Sequence, residues 1–554
     1  MSGIVAAFGA DALHELRRLT HALDHRGPSG RREALVEGGG LGATIGAPGE
    51  ADALCWDRSG RWCVATDGEL LNARALLSEL EAWGEAPEAP SSSAIAAEIV
   101  RARGFMGALE RLAGDVAIVA WDNEERRLWA ARDRAGLRPL HYRVSADGVR
   151  VASEAGALAS ERALAPAALA EVITFGGALP PRTLVPAVCS LAPGELLTWT
   201  AGEGLTLRQH WTDPVNPAGA DGARYRWARS ACFAVELAIQ QRAAVAAPLA
   251  VALSGGVYSE AVLAGVAARR REPILALTLQ IEGAEIDLAR AEAIARRHRA
   301  EHVMIHLPFA DVPGILEELA AAQDPLVTPE AVAWRALARA AWAHDRAVLF
   351  TGLGGTSLFG GEPPPLLDRA SSLPGLARLG RAVRGAAQHR RLVAHARGLD
   401  LAAAPWGALD TLAGGIEGDP TGQQLHLERQ LDAAGVHATL DRVAALDGLR
   451  VATPLADAAL SQLIAGFPLG HLVQVRRPRG LFLDAMAERL QPDPPPHAGL
   501  ALPVDAWCAA VTFDPTSLGS ALPVAEVTTL SNGTPRERWA LRALAAWLGH
   551  GRVG

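Results

Sequence analysis

The sequence predicts two units in series: a β-rich layered one, then an α/β one built on a parallel sheet and continued by a mostly helical tail. Three observations carry this expectation. The 554 residues exceed what one hydrophobic core usually serves. Residues 1 to about 200 read as short strands and turns with only a few helices. From about 223 onward, strands alternate with helices of about 10–15 residues, the texture of parallel βαβ units.

In the first unit, Asp115 to Trp121 and Gly148 to Ser153 are β-type runs, flanked by the turn signals Asp122-Asn123 and Asp147-Gly148. The stretch at 194–200 reads as the last strand, before a Gly- and Pro-rich linker at about 201–222. The expected units are therefore 1–205 and 206–554. The second unit opens with a helix, Arg224 to Arg242, and a buried strand, Pro248 to Leu253. A helix (Ser259 to Arg271), a strand (Pro273 to Leu279), a helix (Asp287 to Arg299) and a strand (His302 to Leu307) follow. A fourth strand, Ala347 to Thr351, runs into Gly352-Leu353-Gly354-Gly355. The tail reads as helical, with proline-rich interruptions at 363–365 and 492–496, and there is no solenoid-type repeat.

Composition narrows the function classes. Apolar residues make up 49% and charged residues 21%, which fits a packed chain rather than a disordered one. A net charge of −8 gives no electrostatic reason to expect nucleic acid, and the pairs Arg390-Arg391 and Arg476-Arg477 read as solvated helix faces. Five scattered cysteines (Cys55, Cys63, Cys189, Cys232, Cys508) make neither a disulfide framework nor a zinc site. The start lacks a signal-peptide pattern, and apolar runs such as Ala163 to Ala170 fall short of the roughly 18 residues a bilayer span needs. A cytoplasmic protein without a membrane partner is expected. The sequence contains no lysine, so no chemical step can use a lysine ammonium.

Ligands of open parallel sheets sit where loops leave the carboxyl ends of strands. Two glycine-containing loops, after Leu253 and after Thr351, mark such ends. In Ser254-Gly255-Gly256-Val257-Tyr258-Ser259 the glycines permit close backbone approach, and amides opening a helix attract phosphate. The same tripeptide also makes ordinary strand-to-helix turns.

That segment resembles the SGGxDS pyrophosphate loop of asparagine synthetases and other AMP-forming amide ligases. Thr351 to Gly361 is similar to their TGEGGDELFGG. Met1 to Val5 resembles MCGIV, His25-Arg26-Gly27-Pro28 matches HRGP, and Asp67-Gly68-Glu69 resembles NGE. Gly114-Asp115 through Trp121-Asp122, then Ala131-Arg132-Asp133-Arg134 to Pro139-Leu140-His141-Tyr142, is similar to GDFA, WD and ARDR followed by KPLYY. Ala152-Ser153-Glu154, Asp441-Arg442 and Pro454-Leu455-Ala456-Asp457 resemble ASE, DR and PFLD. The resemblance implies an N-terminal nucleophile (Ntn) glutaminase-like α+β sandwich, followed by an α/β ATP-pyrophosphatase domain with a helical C-terminal part.

It also implies a chemistry whose residues are missing. The nucleophilic cysteine position holds Ser2, and the oxyanion-hole asparagine is Asp67. The glutamine-carboxylate arginine appears as Ala43-Thr44, and the SDxE element as Ser91-Ser92-Ser93-Ala94. In the synthetase half, the magnesium-holding acids become Tyr258 in the first loop and Leu353, Thr356 and Ser357 in the second. The amine-side lysine of the macrocyclase and β-lactam synthetase branch is His497, and the EVRxP element reads Arg450 to Pro454. Loss of the cysteine points toward that branch.

Ser254, Gly255, Gly256, Ser259, Gly352, Gly354 and Gly355 then stand as vestigial nucleotide loops, with Tyr258 either filling part of the phosphate site or facing away. Three readings follow. The first is a non-catalytic scaffold or partner in natural-product or peptide amide-bond biosynthesis, with an active paralogue or a precursor peptide and no resident cofactor. The second is an active ligase or macrocyclase using ATP and Mg²⁺ with a rewired site that recruits Asp324, Glu260, Glu285 or Asp287. The third is an N-terminal hydrolase with Ser2 as nucleophile. A homodimer is expected from family habit alone.

Overall fold

A computed structural model describes residues 2–46, 53–212, 224–245, 247–284, 287–360, 409, 420–467, 469–472, 477, 479–492, 502–519 and 521–550. The first domain contains strands β1 (Ile4–Gly9), β2 (Gly30–Val36), β3 (Gly39–Ile45), β4 (Leu54–Trp56), β5 (Trp62–Leu70), β6 (Gly114–Asp122) and β7 (Arg127–Ala131). It continues with β8 (His141–Ser145), β9 (Gly148–Ala152), β10 (Cys189–Ser190), β11 (Glu195–Thr200) and β12 (Gly204–Gln209). They form two six-stranded sheets, ordered β10-β8-β9-β1-β3-β2 and β12-β11-β7-β6-β5-β4.

Alternation along β1 explains the layering. Ile4, Ala6 and Phe8 enter the core between the sheets, where Phe8 stacks on Trp121 of β6 at 4.3 Å between ring centroids. Val5 and Ala7 face the other way, against Leu16 and Leu19 of the helix Ala12–Ala22. Helices Ala73–Ala82 and Ser92–Arg111 cover the outer face of the second sheet through Leu76, Leu80 and Ile95. A strand covered on both faces needs apolar residues at every position, so β1 reads as one continuous run.

The expectation that 194–200 is the last strand needs correction. Strand β12 pairs antiparallel with β11 from Glu195↔Gln209 to Thr200↔Gly204, so the hairpin carries the first domain through Gln209, past the expected boundary at 205. Its residues are mostly exposed, and a solvated edge strand lacks the apolar alternation that reveals a strand in sequence.

The second domain has a five-stranded, all-parallel sheet of β13 (Leu249–Ala252), β14 (Leu275–Ile281), β15 (Glu301–Leu307), β16 (Val348–Phe350) and β17 (Arg450–Ala452), ordered β15-β14-β13-β16-β17. Four of these strands match the expected runs; β17 is additional. Helices Arg224–Ala243, Val257–Ala267 and Leu288–Arg297 pack on one face. Helices Val312–Ala320, Glu330–Ala343, Ala438–Ala445 and Pro535–His550 pack on the other. Because β13 and β16 are neighbours, both glycine loops leave adjacent strand ends. No helix among the described residues is long and apolar enough to cross a membrane.

Candidate functional site

The first glycine loop folds back on itself. Gly255 has φ +79°, a conformation that glycine adopts without strain. Ser259 Oγ donates to the Gly256 carbonyl at 2.9 Å and accepts from Ser254 N at 3.2 Å, and Gly256 N lies 3.4 Å from Ser254 Oγ. Arg290 Nε donates to the Gly255 carbonyl at 3.0 Å. The strand-to-helix turn expected from the sequence is present, with the helix beginning at Val257.

The second loop packs directly against the first. A Cβ on Gly352 would meet Ser259 N at 2.7 Å. Ser357 Oγ and Leu358 N both donate to the Gly354 carbonyl, at 3.1 and 3.0 Å. Leu353 N lies 3.4 Å from Thr351 Oγ1, and Thr356 is exposed.

Tyr258 lies between the loops. A Cβ added to Gly355 would sit 2.4 Å from Tyr258 Cδ1 and 2.6 Å from Cγ, so only glycine tolerates the ring here. Tyr258 also packs on Phe482, with centroids 4.7 Å apart, and Phe482 packs on Phe359. Of the two orientations open in the sequence, the ring faces the second loop. Burial pushes the phenol's pKa up, against the pull of the nearby Arg479 guanidinium. Arg479 is buried and has φ +59°, unusual for a non-glycine residue. Sequence reading missed Arg479: it looks like one more arginine in an Arg-rich stretch, and left-handed backbone leaves no mark on composition.

The four positions where the resemblance places metal-holding acids supply a phenol, an aliphatic chain and two hydroxyls, of which Ser357 is already bonded to its own loop. Magnesium prefers carboxylate and water oxygens in an octahedral shell, so these residues do not fit it. The acids proposed as substitutes are engaged elsewhere. Glu260 is fully buried and accepts from Arg290 at 3.1 Å and from Gln491 N at 2.5 Å. Asp287 caps the helix Leu288–Arg297 by accepting from Arg290 N at 2.9 Å. Asp324 pairs with Arg442 at 2.5 Å and accepts from Gly156 N. Glu285 and His497 lie outside the described residues.

In the first domain, a buried ion cluster surrounds the N-terminus. Arg26, with no solvent exposure, pairs with Asp67 at 3.0 Å, Glu154 at 3.1 Å and Asp441 at 3.0 Å, and its Nε donates to the Ser2 carbonyl at 3.1 Å. Asp67 also accepts from Ser153 Oγ at 2.8 Å, so its carboxylate is held by Arg26 and Ser153. Burial raises the Asp67 pKa, with Arg26 opposing. Asp441 receives a second guanidinium, Arg138, at 2.7 Å, and Glu154 bonds His25 at 2.9 Å. Thr44 accepts from Gly3 N at 2.8 Å, and Ser91 caps the helix Ser92–Arg111 through Ala94 N. Positions where the resemblance places glutamine-handling groups thus hold the fold together. A second cross-domain cluster joins Arg242 to Asp115 at 2.5 Å and Asp457 at 3.0 Å.

Comparison with known proteins agrees with this architecture. Residues 1–211 match the glutamine amidotransferase domain model, and residues 234–494 the asparagine synthase model. A Mycobacterium tuberculosis protein provisionally named a glutamine-hydrolysing asparagine synthetase is 29% identical over 389 residues, covering 65% of this chain and 58% of its own length. Asparagine synthetase (glutamine-hydrolysing) 1 of Bacillus subtilis is 25% identical over 382 residues, covering 65% of this chain and 59% of its own. The matched region thus spans less than two thirds of these relatives' length. Among solved structures, glutamine phosphoribosylpyrophosphate amidotransferase from B. subtilis, complexed with ADP and GMP, matches at 15% identity over 55% of this chain and 81% of that one. Its TM-score of 0.31 is too low to carry an argument. Two family models in series, the two-sheet sandwich and the paired glycine loops on a parallel sheet agree: the chain belongs to the asparagine synthetase family.

Proposed function

We propose that this chain is a non-ligating member of its family, acting as a scaffold or partner in peptide or natural-product amide-bond formation. Its partner is an active paralogue or a precursor peptide. The supporting observation is the Tyr258 ring against Gly355, in space between the two nucleotide loops. The carboxylates nearest in sequence add to this support, since Glu260 and Asp287 are committed to Arg290 and to a helix cap. Triphosphate cleavage needs a counter-ion for the departing pyrophosphate, and these side chains offer no anionic anchor for one. The test incubates the full chain with ATP, Mg²⁺ and a panel of carboxylates and amines, and follows pyrophosphate. The expected rate is that of the protein-free control. Turnover abolished by Ser254→Ala refutes the proposal.

One observation favours a second reading, an AMP-forming amide ligase or macrocyclase with a rewired site. Arg479 places a guanidinium close enough to act on Tyr258, a cation beside the loops in a chain without lysine. Under this reading Arg479→Gln lowers pyrophosphate release. Under the first there is no release to lower.

A further inference from the structure

Strand β15 ends the parallel sheet: β14 borders one side of it, and no described strand borders the other. Its main-chain groups divide between those two sides. Glu301 N–H donates to the Ile274 carbonyl at 2.9 Å, and the Leu307 carbonyl accepts from Glu282 N–H at 3.0 Å. Along a strand the N–H and C=O of one residue point the same way, and successive residues alternate. Glu301, Val303, Ile305 and Leu307 therefore turn their main-chain groups to β14. The N–H and C=O of His302, Met304 and His306 point outward.

Sheets usually blunt such an edge with a bulge, a proline or charged side chains. Here the pairing with β14 runs without a bulge from Leu275↔Glu301 to Ile281↔Leu307. The residues from His302 to His306 include no proline, arginine, lysine or carboxylate, and Met304 is 57% exposed.

The same stretch is close to a palindrome: His302, β-branched Val303, Met304, β-branched Ile305, His306. A second copy laid antiparallel about a two-fold axis at Met304 sets Met304 against Met304 and His302 against His306. All the outward-facing residues then pair with one another. Val303 meets Ile305 of the second copy, an apolar contact that continues the core on which both residues pack. A shift of two residues leaves an outward-facing residue of each copy unpaired. The charges at the strand's ends agree with this arrangement. Exposed Arg299 precedes the strand, exposed Asp311 follows it, and neither forms an ion pair among the described residues. Antiparallel pairing brings the cationic end of each copy beside the acidic end of the other.

We propose that this edge joins two copies of the chain, extending their two five-stranded sheets into one continuous sheet. Each outward pair exchanges two main-chain hydrogen bonds, about six in all. At about one hydrogen bond per 100–200 Å² of interface, these correspond to about 600–1,200 Å², the low end for a specific contact. The dimer is therefore reversible, with a dissociation constant on the order of 1–100 μM.

Sedimentation equilibrium of the full chain across that concentration range reads the association, and a monomer–dimer equilibrium is expected. Met304→Pro removes an N–H that bonds nothing in β14, so it weakens association at least tenfold and leaves the ladder to β14 in place. Met304→Lys blunts the edge by charge and decides the matter if the proline variant does not fold. Cross-linking reads the register. Met304→Cys places thiols on a pair whose Cα atoms lie about 5.5 Å apart, and oxidation yields a covalent dimer beyond any formed by the natural chain. Glu301→Cys places them roughly 20 Å apart and yields none. The proposal is overturned if the chain stays monomeric throughout, if Met304→Pro and Met304→Lys associate like the natural chain, or if Glu301→Cys cross-links as readily as Met304→Cys.

Discussion

Arg26, in the first domain, donates to Asp441, in the second, at 3.0 Å, with both side chains buried. The pair is 415 positions apart in sequence, and the same guanidinium also holds Asp67 and Glu154. One cation thus joins the Ser2 carbonyl, Asp67 and the helix Ala438–Ala445.

Removing that cation would leave Asp67 buried without a cationic partner, beside Asp441 and Glu154, which keep Arg138 and His25. Breaking a buried pair by deleting one partner costs about 3–5 kcal/mol, because the remaining charge is uncompensated. Arg26→Met is therefore expected to shift the urea midpoint sharply downward, by the equivalent of about 3–5 kcal/mol. A loss below about 1 kcal/mol, the range of exposed pairs, would show that the cluster does not hold the seam.

The His25–Glu154 pair gives the seam a pH dependence of definite sign. Burial alone would raise the Glu154 pKa, but His25 and Arg26 outweigh it and hold the acid at about 2, against an ordinary 4.5. Burial alone would lower His25, but Glu154 outweighs it and raises the pKa above 6.5. The depressed acid stabilises the fold above about pH 4.5 and loses that contribution as pH falls toward 2. The raised histidine stabilises fully below about pH 6.5 and loses that contribution as pH rises through its folded value. The stability advantage of the natural chain over His25→Gln should thus be largest between about pH 4.5 and 6.5 and shrink above it. Denaturant midpoints across that range measure it, and an advantage undiminished at alkaline pH would contradict the assignment.

Gly355 and Tyr258 are coupled by contact. Gly355→Ala forces a methyl group to 2.4 Å from the ring, so the single change is destabilising. In the Tyr258→Ala background the obstruction is gone and the same change becomes nearly neutral. The double-mutant cycle should return a coupling of about 1–3 kcal/mol. Additive effects would place the ring elsewhere.

Much of this was legible in the sequence. Four of the parallel strands and both glycine loops announce themselves through apolar runs ending in glycine, because a strand buried on both faces must be apolar throughout. The strand Arg450–Ala452 was not visible as one: three residues carry no periodicity, and only its neighbour Val348–Phe350 defines it. The hairpin partner Gly204–Gln209 escaped for the opposite reason, its residues being solvated. The acid-to-hydroxyl changes at Tyr258 and Thr356 were legible, but the direction of the Tyr258 ring was not, since a side-chain rotamer is set by packing against Phe482 and Gly355. The role of Asp67 was the least legible. In sequence it is a missing donor; in the fold it is a ligand of Arg26, fixed by residues far away in the chain.

Calorimetric titration of ATP into the full chain, with and without Mg²⁺, reads metal and nucleotide binding at the two loops. Mg²⁺ is expected to add no affinity, because neither loop presents a carboxylate to hold it. Binding that tightens markedly with Mg²⁺ and disappears in Ser254→Ala would contradict it.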